Sequence, residues 1–140
     1  MFAKVKLAQN MAIYCSAVKL HRVDTQIAFA AIENHHMTRD GFRELIKTVT
    51  GKKIPHAALE RIAEAETVRD RLLHGKTVTE TAKRKAVVDI LSYATMLNEH
   101  MHQNHGIKPF GKLKGFKGRT KPLDKSTSRW VLKGMGLTGI

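Results

Sequence analysis

Near the middle of the chain, the run Val68-Arg69-Asp70-Arg71-Leu72-Leu73-His74-Gly75 collects groups suited to phosphodiester chemistry. An arginine brings a permanent cation whose forked donors match phosphate oxygens. A histidine brings a side chain that gives and takes protons around neutral pH. On residue types alone a plainer origin is favoured. Cations favour the C-terminal end of a helix, so Leu-Leu-His-Gly also reads as a core pair, a capping histidine and a stop. Spacing within one helix does not decide the matter. Positions five apart differ by about 140°, so Arg69 and His74 do not share a face, whereas Asp70 and His74, four apart, do.

The elements that must position these residues read as helices throughout, with no convincing strand. Apolar spacing predicts a first helix from about Val5 to Asn34, carrying Leu7, Met11, Tyr14, Cys15, Val18, Ile27 and Phe29, with a bend or exposed stretch at Lys19 to Asp24. Thr38 is the expected N-cap of a short second helix carrying Phe42, Leu45, Ile46 and Val49 and stopped by Gly51. Pro55 suits the start of a third helix, which presents Leu59, Ile62, Ala63, Val68 and Leu72 and ends at Gly75. Thr77-Val78-Thr79-Glu80 has the form of a capping box. It opens a fourth helix with Val78, Ala82, Ala86, Ile90, Tyr93, Ala94, Leu97 and Met101 on one face, ending near His105-Gly106. Short connections make these an antiparallel four-helix bundle over residues 1–105. Residues 106–140 form a basic, glycine-rich extension, with a short helix from Asp124 or Ser126 to Leu132 closed by Gly134.

Arg69, Asp70 and His74, with four residues between arginine and histidine, followed by a capped helix running to Ile90-Leu91-Ser92-Tyr93-Ala94, resemble the HEPN superfamily (higher eukaryotes and prokaryotes nucleotide-binding). The likeness covers about residues 54–101 closely and the earlier helices by their order and amphipathicity. It implies an all-α bundle that forms a homodimer, two Arg–His motifs facing each other across the two-fold. It implies an endoribonuclease needing no metal and no cofactor, in which the RNA 2′-hydroxyl attacks and a 2′,3′-cyclic phosphate is left. His74 would then transfer protons, Arg69 would hold the scissile phosphate, and Asp70 would orient one of them. Arg71 adds a second cation, and which arginine faces the cleft stays open. Bacterial members resemble toxins or phage-defence effectors, so an antitoxin or a nucleotidyltransferase is an implied partner. Two other readings stand beside the nuclease: a non-catalytic nucleic-acid or nucleotide-binding module, and a subunit that holds a partner protein.

Charge points to the same class of ligand. The chain carries 25 Lys/Arg against 12 Asp/Glu, and residues 106–140 alone hold nine of the former and one of the latter. Such an excess describes partners, here a polyanion, rather than fold. Interleaved aromatics and cations suggest a grip on single strands through phosphate contacts and stacking. The expected RNA-binding residues are Arg71, Lys76, Lys83, Lys112, Lys114, Phe116, Lys117, Arg119 and Lys121, with Trp130 expected to help dock the last helix. A membrane partner is not expected, since no 18-residue apolar run occurs and the tail lacks a continuous apolar face. One cysteine, Cys15, is placed in the core and suits a reducing cytoplasm. His100, His102 and His105 read as a frayed helix end rather than a metal site, and Gly51-Lys52-Lys53 lacks the framework of a phosphate loop.

Overall fold

In the computed structural model, which describes residues 2–111 and 121–137, the chain is all-helical, and no strand occurs among the described residues. Among the described residues six helices follow one another: α1 (Phe2–His21), α2 (Thr25–Glu33), α3 (Arg39–Thr50), α4 (His56–Leu73), α5 (Glu80–His105) and α6 (Lys125–Met135).

The long first helix expected from the sequence is two. Arg22 takes a left-handed conformation with φ of 59°, and the Val23 N–H turns back to the Ala17 carbonyl at 3.4 Å. Asp24 then caps α2, its carboxylate accepting the Ile27 N–H at 3.1 Å. A carboxylate that satisfies an orphan N–H is a strong start signal, and it outweighs the helical propensity of the residues around it. The apolar register shifts as well. Val5, Ala8, Ala12, Ile13, Cys15 and Val18 are buried, whereas Leu7 and Phe29, expected inside, are exposed.

Other boundaries move by smaller steps. Thr38 caps α3 as anticipated, accepting the Gly41 N–H at 3.0 Å, and Gly51 ends it at φ 77°. Pro55 is the residue just before α4 rather than its first turn. The cap of α5 is Thr79, not Thr77: its hydroxyl accepts the Ala82 N–H at 3.1 Å. Glu80 reaches Lys83 at 3.2 Å instead of turning back. Thr77 and Val78 are spent on the crossing from α4 to α5. Helix α6 passes through Gly134 and ends at Gly136, with Asp124 as its cap.

Helices α4 and α5 pack as an antiparallel hairpin, α1 packs against α2, α3 and α5, and α6 lies on α2 and α3. Ile13, Val18, Phe42, Ile46, Ile62, Tyr93, Leu97, Met101 and Leu132 meet in one buried cluster. Each such side chain contributes about 1.5–3 kcal/mol by leaving water. Two polar arrangements sit at its edge. Gln9 donates its side-chain N–H to the Tyr93 hydroxyl at 3.1 Å. Asp89 of α5 accepts from Arg61 of α4 at 3.2 Å and from Lys85 at 2.9 Å, which ties the hairpin together.

One feature of the hairpin positions the site. The inward stripe of α4 runs Ala58, Ile62, Ala65, Arg69 and then Leu72 and Leu73, at alternating three- and four-residue steps. Its first members are fully buried, yet Leu72 is 46% and Leu73 76% exposed. The hairpin therefore overhangs the bundle, and its tip presents what would otherwise be a core face.

Candidate active site

Helix α4 closes in a Schellman motif. The Lys76 N–H returns to the Arg71 carbonyl at 2.9 Å and the Gly75 N–H to Leu72 at 3.1 Å. Gly75 supplies the left-handed φ of 71° that this ending needs. His74 is the cap residue, with its backbone N–H on the Asp70 carbonyl at 3.0 Å. Its ring is exposed at the overhanging tip.

Arg69 lies one turn back, on the inward side. Its guanidinium stacks over the Phe2 ring, 4.6 Å from the centroid, and donates to Asp70 Oδ1 at 3.2 and 3.4 Å. Asp70 thus orients the arginine, and no hydrogen bond joins it to the His74 ring among the described residues. Arg71, two positions on, sits about 200° around the helix and is exposed on the outside. Arg69 lines a cavity.

That cavity, of about 330 Å³, lies between the start of α1, the α2–α3 connection and α4. Lys6, Arg39 and Arg69 bring positive charge to it, Gln9, His36 and Thr38 bring polar groups, and Glu66 is its one carboxylate. Glu66 pairs with Arg39 at 2.9 Å with its side chain 13% exposed. Burial pushes its carboxyl above the usual range, although Arg39 and Arg69 both pull the other way. Phe2, Arg39 and Glu66 escaped the sequence reading. Glu66 alone had a local signal, three residues before Arg69 on the same helical face. The other two reach the site through tertiary packing.

The expected RNA-binding residues divide. Arg71, Lys76 and Lys83 surround the hairpin tip, Lys83 being paired with Glu80 in an exposed contact. Lys121 is exposed and its carbonyl accepts from the Arg22 guanidinium. Lys112, Lys114, Phe116, Lys117 and Arg119 fall outside the described residues. Trp130 departs from its expected docking role and is 76% exposed. Cys15 is buried, and burial pushes its thiol up to about 11, which disables it as a nucleophile.

No group of three or more potential metal ligands gathers among the described residues. His100 and His105 approach edge to face, ring centroids 6.4 Å apart. Burial, reinforced by Lys52, lowers the basicity of both. No helix among the described residues is long and apolar enough to cross a membrane. No protein-family model, curated protein or solved structure matches this chain.

Proposed function

We propose that this chain is a HEPN-type endoribonuclease whose helices form the family's four-helix core and whose active unit is a homodimer joined at the α4–α5 tip. The observation that carries the reading is the overhang. Arg69 lies on a stripe that is buried further down α4 but emerges at exposed Leu72 and Leu73, and His74 caps the helix directly after them. An apolar face of this kind next to chemically useful groups is what a second copy would cover.

In such a dimer the geometric objection to a single helix falls away, because an arginine of one protomer and a histidine of the other can converge. The RNA 2′-oxygen attacks phosphorus, the O2′–P bond forms, and the P–O5′ bond breaks. One His74 imidazole accepts the 2′-hydroxyl proton, and the other, protonated, delivers a proton to the departing O5′. Arg69, fixed in orientation by Asp70 and Phe2, offsets the negative charge that gathers on the phosphorane oxygens.

His74→Ala is expected to lower cleavage by roughly 10²–10⁴-fold while leaving RNA affinity, helicity and melting temperature as they were. Cleavage should continue in EDTA, spare DNA, and leave 2′,3′-cyclic phosphate ends by mass spectrometry. Dependence on an added divalent ion, or equal cutting of DNA, overturns the mechanism. A second reading, a non-catalytic RNA-binding module, is favoured by one observation: Arg69 is already engaged by Asp70 and Phe2. It predicts binding without turnover in the unaltered chain.

A further inference from the structure

Helix α6 is firmly seated, and this makes the exposure of its tryptophan informative. Leu132, Leu137 and Ser128 are fully buried. The Ser128 hydroxyl accepts the Asp24 N–H at 2.9 Å, and the Leu123 N–H reaches the Arg22 carbonyl at 2.7 Å. Trp130 is two residues from both Ser128 and Leu132, about 200° around the helix from each. Its ring therefore points away from the core on a helix that is otherwise anchored, and 76% of it is exposed.

We propose that the outward face of α6 is a platform for single-stranded nucleic acid, on which Trp130 stacks with a base while Arg129 and Lys133 hold the adjoining phosphates. Arg129 and Lys133 are four apart and so lie side by side on one flank of the ring. Both are exposed, and neither forms an ion pair among the described residues. Ser126 and Gly134, one turn before and after Trp130, are small and exposed. A Cβ placed on Gly134 would meet nothing within 4 Å, so space for a flat ring is open there. Four cations, Lys121, Lys125, Arg129 and Lys133, lie on this segment against Asp124 alone. That carboxylate is already used to cap the helix, accepting the Thr127 N–H at 3.1 Å.

A base and its phosphates answer both halves of this surface. An aromatic ring in a cationic setting grips single strands with little regard to sequence. A membrane surface answers only the charge, because insertion needs a continuous apolar stripe and Trp130 has none around it. The platform deepens the RNA reading by saying where a strand is held, and it is independent of cleavage.

Trp130 is the chain's one tryptophan, so emission excited at the red edge, where Tyr14 and Tyr93 do not absorb, reads this ring alone. Titration with a short single-stranded oligothymidylate, which lacks the 2′-hydroxyl and cannot be cut by the proposed route, should quench the emission saturably. Raised salt should weaken the binding. Trp130→Ala should lower affinity roughly tenfold, with melting temperature unchanged, whereas Trp130→Phe should keep most of it. Arg129→Glu with Lys133→Glu should weaken binding further, and His74→Ala should leave the titration as it was. Unaltered affinity in Trp130→Ala overturns the proposal, and so does equal quenching by heparin, a polyanion without bases. Neither result touches the cleavage test at His74.

Discussion

Asp89 shows how a single side chain can hold two helices together. Its carboxylate is 2% exposed and accepts from Arg61 and Lys85, each about half-exposed. Burial pushes its pKa up, but the hydrogen bonds from Lys85 and Arg61 outweigh that, and it is held below the ordinary carboxylate range. A depressed acid contributes stability above its unfolded pKa of about 4 and loses it as pH falls through the lower folded value. Asp89→Asn is expected to cost about 1.5–3 kcal/mol at neutral pH and to flatten the acid limb of stability below about pH 4. Urea titrations at stepped pH read both. The candidate residues Arg69, Asp70 and His74 stand out at this scale because they lie within six residues of one another. Phe2, Arg39 and Glu66 were not, since their approach to Arg69 depends on how α1 and α3 pack against α4.

At the scale of elements, the hairpin of α4 and α5 presents the candidate site because the inward stripe of α4 is exposed at its tip, at Leu72 and Leu73. Leu72 was expected inside, and the 3.6-residue period placed it correctly on the inward stripe. What the period could not show is where the covering helices stop. Exposed Val87, Val88 and Leu91 add further apolar surface on the outer side of α5. Leu73→Lys is expected to shift the assembly towards monomers, seen by light scattering, and to remove cleavage with it. Thermal stability of the protomer should change little, because the residue is already in water. Unchanged dimers in this variant would move the interface elsewhere. Caps were partly legible for a related reason: Thr38, Asp24, Thr79 and Asp124 are all ordinary N-cap types. Thr77 and Thr79 offered the same acceptor two residues apart, and the path of the connecting loop chose between them.

Across the whole molecule, the net charge of +13 sets how the protein meets other matter. Where four helices and an extension are expected, the described residues form six helices, with α6 returning to lie on α2 and α3. Docking of the last helix is expected from its apolar residues, but its anchors are Leu132, Leu137 and the hydroxyl of Ser128 rather than Trp130. RNA affinity, measured with the His74→Ala protein so that the strand survives, should fall linearly in log–log form as salt rises. The slope counts the phosphates neutralised. Loss of only part of that slope in Arg129→Glu with Lys133→Glu would apportion the contacts between α6 and the hairpin tip. A salt-independent affinity would mean that the charge excess has no part in binding.

Cys15 carries a consequence beyond the core it fills. A thiol sealed from solvent and held largely protonated neither forms mixed disulfides nor climbs the oxidation ladder while the bundle stays shut. The chain's one thiol is thus indifferent to the redox state of its surroundings. Its sulfur becomes reactive only when α1 comes away from its neighbours, so oxidation follows unfolding here and does not cause it.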